Sequence, residues 1–295
     1  MIVRMIQGFL MALADSVPGV SGGTVAFILG FYEKFIGSLN DLLGTSKEKR
    51  KEAILFLIQL GLGWGIGMVL AMLFITSVFE HHIYEISSVF IGFILFAIPV
   101  IVKQEKECLK HKYVHLIYTL FGAALVFIIT YFSGSSLFPD GVDLSFGKFS
   151  PITGALIFLA GMIAISAMVL PGISGSTILM IFGLYVPITM AIKDFLHLKF
   201  EVVPALVLFG LGVICGALGI VKLVKKVMER FRSQTVYCVL GLMLGSVYSI
   251  CMGPTTLDVP KTEMGIGEFK VLYFLLGGFV ILLLEALKNK IEKKS

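Results

Sequence analysis

The sequence predicts an all-α polytopic membrane protein built as two inverted repeats. Each repeat is expected to be a Pro/Gly-broken, re-entrant type of helical hairpin followed by three transmembrane helices. Three observations carry this expectation: apolar stretches of bilayer length recur along the chain, a Pro-Gly-x-Ser-Gly turn occurs twice, and cations gather in alternate connections. Of the 295 residues, 57% are hydrophobic and 15% charged, whereas a soluble domain carries charge on about a quarter of its residues. The bilayer is therefore the solvent. The net charge of +5 fits basic cytoplasmic loops, and no nucleic-acid partner is expected. The N-terminal stretch carries Arg4 but runs into Asp15 and Pro18 instead of a small-residue cleavage site, so no cleavable signal peptide is expected. Cys108, Cys215, Cys238 and Cys251 lack metal-ligand spacing, and His81-His82 does not form an HExxH motif. No structural disulfide, protein-bound metal or cofactor is expected.

Six stretches read as full spans, at roughly 54–77, 86–102, 114–132, 204–222, 235–252 and 271–287. Two further apolar regions, about 5–31 and 151–192, are interrupted. The first interruption reads Pro18-Gly19-Val20-Ser21-Gly22-Gly23-Thr24, the second Pro171-Gly172-Ile173-Ser174-Gly175-Ser176-Thr177. Proline removes a backbone donor and glycine admits positive φ, so each interruption should act as a hinge between two helical arms. Irregular backbone at membrane depth is tolerated where protein or a water-filled cavity surrounds it.

The interruptions are copies. A shift of 153 residues takes Pro18 to Pro171, Ser21 to Ser174, Gly22 to Gly175, Thr24 to Thr177, Gly30-Phe31-Tyr32 to Gly183-Leu184-Tyr185, and Asp41 to Asp194. After a four-residue shortening the shift becomes 149, and Gly61, Gly63, Gly67 and Gly92 match Gly210, Gly212, Gly216 and Gly241. Ordered matches over about a hundred residues indicate an internal repeat. Residues 1–132 form the first repeat, 133–150 an external linker, and 151–295 the second repeat with a cytoplasmic tail.

Basic clusters at Lys47–Lys51, 103–112, 222–232 and the C-terminal lysines should be cytoplasmic, while loops 79–86 and 133–150 (with Asp140 and Asp143) should be external. A single crossing by region 5–31 would put Arg4 and Lys49 on opposite sides. An entering and returning hairpin puts both inside, and both termini become cytoplasmic. Loop 193–203, with Lys193 and Lys199 against Asp194 and Glu201, is the weakest point of this assignment. Three spans after each hairpin is an odd number, so the second copy is upside down. Secondary transporters use this design, with sites at mid-membrane where interrupted helices meet.

Ser21, Gly22, Gly23 and Thr24, with Ser174, Gly175, Ser176 and Thr177, are the candidate substrate-binding residues. At helix starts they would present unpaired N–H groups, partial positive charge and hydroxyl donors, which suits a phosphate. Close helix packing or simple capping by the same small residues is the alternative. Pro18, Gly19, Pro171 and Gly172 are the hinge residues. Asp15 lies inside an apolar region, and its counterpart is Met168. An intramembrane carboxylate is costly, so Asp15 is the candidate for H⁺ or Na⁺ coupling, with capping of the Ser–Gly turn as the alternative. Glu33 and Lys34 are expected to pair with each other, His81 and His82 to lie solvated in an outer loop, and Trp64 to serve packing. The glycine runs 61–67 and 210–216 are expected at close helix contacts.

The stretch Asp15-Ser16-Val17-Pro18-Gly19-Val20-Ser21-Gly22-Gly23-Thr24, with Leu170-Pro171-Gly172-Ile173-Ser174-Gly175-Ser176-Thr177, resembles the signature of the bacterial polyprenyl-phosphate (undecaprenyl phosphate) transporter family. The resemblance extends over nearly the whole chain. It implies a flippase in the bacterial cytoplasmic membrane that returns the undecaprenyl phosphate lipid carrier to the cytoplasmic leaflet, for recycling in envelope glycan synthesis. It implies a transporter and not an enzyme. The residues alone leave two other readings open: a secondary transporter or channel for a small soluble anion, and a membrane lipid phosphatase. Against the phosphatase, no clustered His, Arg and Asp set and no serine beside a base in sequence is found.

Overall fold

Helices account for most of the described residues, and no strand occurs among them. The computed structural model describes residues 1–15, 21–42, 44, 46–71, 76–110, 112–132, 144–145, 150–256 and 261–292. The first half contains α1 (Ile2–Asp15), α2 (Gly22–Ile28), α3 (Tyr32–Asp41), α4 (Lys47–Leu70), α5 (Thr76–Gln104), the short α6 (Lys106–Leu109) and α7 (Leu116–Phe132). The second contains α8 (Pro151–Val169), α9 (Gly175–Ile181), α10 (Tyr185–Leu196), α11 (Val203–Arg230), α12 (Arg232–Met252) and α13 (Val271–Glu292). Local chemistry sets several starts. The Ser46 hydroxyl caps α4, and Ser150 caps α8 with Pro151 in the first turn, where its missing N–H costs nothing.

Six helical segments among the described residues are long and apolar enough to cross a bilayer: Lys47–Leu70, His82–Gln104, Tyr113–Phe132, Pro151–Val169, Phe200–Arg230 and Arg232–Thr255. The set differs from the expected one where Pro151–Val169, expected as a hairpin arm, has full bilayer length. The expected span 271–287 lies within α13, Val271–Glu292. α1, with 14 residues, reaches only about 21 Å, short of the ~30 Å hydrocarbon core.

The hairpins are more broken than two arms each. α2 and α9 are seven residues long and end at Gly30 (φ 72°) and Gly183 (φ 66°). Both ends close in the same way: Gly30 N–H donates to Phe27 O and Phe31 N–H to Ala26 O, and likewise Gly183 to Met180 O and Leu184 to Leu179 O. This paired bonding around a left-handed glycine stops a helix and turns the chain. At the second site α9 and the start of α10 meet at 113°.

Four close helix pairs build the molecule: α1 with α4, α8 with α11, α5 with α13, and α7 with α12. Gly63 lies on the backbone of Met5 and Gly67 on that of Phe9, so α1 runs parallel to the second half of α4. Gly212 on Phe158 and Gly216 on Met162 make α8 and α11 parallel in the same way. α2 and α3 therefore carry the chain back to the end where α1 began, and Arg4 donates to Gln59 of α4 at 3.1 Å. The same packing occurs at corresponding positions of the two halves. Gly8 meets Leu60 as Gly161 meets Phe209, and Gly92 meets Phe274 as Gly241 meets Thr119. Between α5 and α12 sits the largest core cluster, with Ile83, Ile91 and Ile94 against Val239, Leu240 and Met243. α4, α7 and α11 turn large apolar side chains outward, among them Leu62, Leu120 and Ile214, as a lipid-facing surface should.

Three local expectations are corrected. Residues 79–86 are helical, within α5, with a kink at His82 (φ −120°, ψ 29°). His82 Nδ1 lies 3.5 Å from Glu85, an i,i+3 neighbour. Glu33 does not pair with Lys34. It pairs with Arg232 at 3.0 Å, while the Lys34 ammonium sits 5.4 Å from the Phe56 ring centroid. Adjacent helical residues diverge by about 100° and cannot face each other. Of the glycine runs, Gly63, Gly67, Gly212 and Gly216 make close contacts, but Gly61, Gly65 and Gly210 face open space. Asp140 and Asp143 lie outside the described residues.

Candidate functional site: two broken turns in contact

The hinge residues Pro18 and Gly19 lie outside the described residues, so the first turn is defined by its flanks. α1 ends in Asp15, and Ser21 starts α2 from an extended conformation (φ −129°, ψ 137°). The Ser21 hydroxyl accepts from Gly23 N–H at 3.1 Å. Asp15 folds back over the same helix start, where its Oδ1 accepts from Gly22 N–H at 2.6 Å. Its Oδ2 accepts from Trp64 Nε1 at 2.9 Å. Trp64 is thus a polar partner as well as a packing residue. Gly22 is required by this arrangement, because a Cβ there would stand 2.7 Å from Asp15 Oδ2.

The second turn follows α8. Pro171 is fully buried, and Gly172 adopts φ +91° against the Leu242 carbonyl. Ser174 begins α9 from φ −91°, ψ 134° without capping it, and its hydroxyl bonds that of Ser176 at 2.7 Å. The position matching Asp15 is Met168, whose Cβ lies 3.5 Å from where a Gly175 Cβ would be. The same spatial neighbourhood therefore holds a carboxylate in one half and a thioether in the other.

The two turns touch. Ser21 Oγ donates to Met168 O at 3.2 Å, Gly172 N–H donates to Thr24 Oγ1 at 2.7 Å, and Tyr32 OH donates to Val169 O at 2.9 Å. Gly23 packs so closely that a Cβ would lie 3.0 Å from the carbonyls of Met168 and Val169. Ser21, Gly23, Thr24, Tyr32, Val169 and Gly172 are buried in this seam and Met168 is half-buried; Ser174 and Thr177 are buried, while Gly175 and Ser176 are half-buried. Ser21, Gly23 and Thr24 thus meet the segment from Met168 to Gly172 that leads into Ser174–Thr177.

Their hydrogen-bonding states differ. On the first turn, the Gly22 amide is engaged with Asp15, the Gly23 amide with the Ser21 hydroxyl, and the Ser21 and Thr24 hydroxyls with the second turn. An anion already occupies the start of α2, and it belongs to the protein. On the second turn α9 has no side-chain cap, and the Ser174–Ser176 hydroxyl pair bonds only within the turn. An incoming anion would meet donors there without displacing a carboxylate. Trp64 and Tyr32 are the partners least visible in sequence. Trp64 is the only tryptophan of the chain, and Tyr32 belongs to the repeated Gly-x-Tyr match, but neither pattern names a hydrogen-bond partner.

Residues 11–267 match the undecaprenyl phosphate translocase-like family. A curated relative from Staphylococcus aureus, named polyprenyl-phosphate transporter, is 32% identical over 262 residues, covering 86% of this chain and 87% of the relative. One from Vibrio cholerae with the same name is 31% identical over 263 residues, covering 86% of this chain and 78% of the relative. No solved structure matches the chain. The family match covers both turns and the helices from α2 to α12. The chain belongs to the undecaprenyl phosphate translocase-like family, a family of membrane transporters and not of enzymes.

Proposed function

We propose that this protein is a flippase for an undecaprenyl phosphate-type lipid carrier, held by its phosphate between the two Pro-Gly turns. It would carry the lipid across the bacterial cytoplasmic membrane toward the cytoplasmic leaflet, where envelope glycan synthesis reuses it. The names of the relatives support the substrate. The observation that carries the site is the direct contact of two matched turns from the two halves, through Ser21 with Met168 O and Gly172 with Thr24. In this reading the halves are inverted repeats, both termini are cytoplasmic, and the turns lie near the midplane where transporters of this design bind substrate. The phosphate engages Ser174, Gly175, Ser176 and Thr177 first, because their donors are not committed to a carboxylate. Ser21, Gly22, Gly23 and Thr24 complete the cradle when Asp15 yields Gly22. A cation bound by Asp15, H⁺ or Na⁺, would favour that release and couple it to transport.

The test is binding and transport of polyprenyl phosphate by purified protein, with the same prenyl alcohol lacking phosphate as control. Wild type should prefer the phosphorylated lipid. Gly175→Trp should remove the preference, and Ser174→Ala should weaken binding by about 1–3 kcal/mol, with melting temperatures retained. Asp15→Asn should abolish the ion dependence of transport. Equal binding of both lipids would reduce the turns to packing elements.

A further inference from the structure

A second polar site lies away from the turns, at the end of the molecule where α1 and α4 begin. A cavity of about 480 Å³ opens there between α1, α3 and α4. Three cations line it: Arg4, Lys34 and Lys49. Among the described residues none of them is paired with a carboxylate. Arg4 bonds the neutral Gln59. The Arg4 guanidinium and the Lys34 ammonium each stand 5.4 Å from the centroid of the Phe56 ring, so two positive charges share one aromatic neighbour. Of the two carboxylates in the lining, Asp41 is already 3.7 Å from Lys225 of α11, which leaves Glu52. The lining thus carries three cations against two carboxylates, and because none of the cations is within ion-pair distance of either carboxylate, their donors stay available to a bound anion.

Two further features point to the same ligand. Ser38 lines the cavity and adds a hydroxyl to its cations as a further donor. Beside it, a Cβ added to Gly37 would meet nothing within 4 Å. The cavity rim includes Leu55, which starts an outward stripe along α4 of Leu55, Ile58, Leu62, Ile66 and Val69. These recur at three- and four-residue spacing and form one apolar face.

We propose that this cavity is a landing site for the phosphomonoester headgroup of a long-chain lipid, with the tail lying along the α4 stripe. A monoester carries about −1.5 to −2 charges at neutral pH and three acceptor oxygens, which matches three cations and a hydroxyl better than the single charge of a phosphodiester does. The choice of a lipid monoester rests on the transport reading above. The site would hold the headgroup at the membrane surface before or after passage through the turns.

The experiment uses a photoreactive prenyl phosphate with the full-length protein in phosphatidylcholine nanodiscs, and mass spectrometry to locate the labelled peptides. Label is expected on α3 and the first half of α4. Excess unlabelled prenyl phosphate should remove it, whereas phosphatidylglycerol, prenyl alcohol and equimolar inorganic phosphate should not. Lys34→Gln and Lys49→Gln should each weaken labelling about tenfold. Gly37→Leu, which fills the open space without touching a charge, should abolish it at unchanged melting temperature. Labelling that survives Gly37→Leu, or both lysine variants, overturns the site. Equal competition by phosphatidylglycerol makes it a general anionic-lipid site, and equal competition by inorganic phosphate removes the tail from the account. Either result also overturns the proposal. Wild-type transport without α3–α4 labelling rejects this site and leaves the turns in place. Labelling there without transport rejects the flippase reading and leaves the site.

Discussion

Asp15 has no carboxylate counterpart in the second half, where Met168 takes the matching position. A carboxylate in an apolar setting is costly unless its oxygens accept strong hydrogen bonds. Here Gly22 N–H and Trp64 Nε1 serve each oxygen. Replacing Asp15 with methionine, the residue at the matching position 168, would copy the second turn onto the first and leave two buried donors without acceptors. Asp15→Met should therefore cost about 1–3 kcal/mol for each orphaned donor. Asp15→Asn retains one acceptor oxygen and should cost less. Trp64→Phe in the Asn background should cost less than in wild type, since the donor it removes has already lost part of its acceptor. Thermal melting of wild type and the four variants checks the order. Equal losses for Met and Asn would mean that the carboxylate does not organise the turn. The sequence shows Asp15 as an anomaly and offers capping as one of its roles. That Trp64 shares the carboxylate across 49 positions depends on α1 and α4 lying parallel, which no local pattern states.

Among the elements, the parallel pairs α1–α4 and α8–α11 depend on close backbone approach. Gly63 and Gly212 each press on a carbonyl of the partner helix, of Met5 and Phe158, while Gly61 and Gly210, two residues earlier, face open space. Gly63→Ala and Gly212→Ala should each destabilise by about 1–3 kcal/mol through overpacking. Gly61→Ala and Gly210→Ala should be neutral or stabilising by up to ~1 kcal/mol, because alanine favours helix over glycine. Melting curves in one detergent decide this, and a loss at Gly61 equal to that at Gly63 would contradict the packing. The glycine-rich runs are legible in the sequence, but which glycine touches is not, since a two-residue step moves a side chain by about 200° around the helix. The extra breaks at Gly30 and Gly183 have a similar history. Both glycines stand out as a matched pair, but a glycine can sit inside a helix as well as end one. The left-handed φ of each settles the matter.

Across the whole molecule, ion pairs at one end tie separate elements together. Arg232, at the start of α12, makes a two-pronged contact with Glu105, through Nε to Oε2 at 3.0 Å and Nη2 to Oε1 at 2.9 Å. It also reaches Glu33 of α3 at 3.0 Å. Lys225 and Asp41 join α11 to α3, and Lys103 and Glu285 join α5 to α13. The hydrogen bonds from Arg232 hold the Glu105 carboxyl below its ordinary value of 4.5. A depressed carboxylate adds stability that is fully present above its unfolded-state value and is lost as pH falls through its folded-state value. Glu105→Gln should therefore lower stability by about 1 kcal/mol at neutral pH, as for a partly exposed bidentate pair. The two proteins should converge as pH falls through the lowered folded-state value of Glu105. Melting temperatures against pH read this directly, and a constant difference across the range would show that the charge is not what matters. Glu33 and Lys34 illustrate why such pairs escape a sequence reading. Neighbours in the chain, they point to Arg232 and to Phe56, which only the folded arrangement brings near.

The sequence by itself determined the class of the protein, the number and approximate limits of most long helices, and the existence of two matched turns. Hydropathy, Pro-Gly interruptions and a repeated motif are written along the chain and survive without knowledge of any contact. Only the tertiary structure decided that the turns meet, through Ser21, Thr24 and Tyr32, and that Asp15 already fills the first helix start while the second stays uncapped. It also decided that Arg4, Lys34 and Lys49 share one cavity. Each of these depends on which face of a helix meets which partner, and that is a property of packing between segments far apart in the chain.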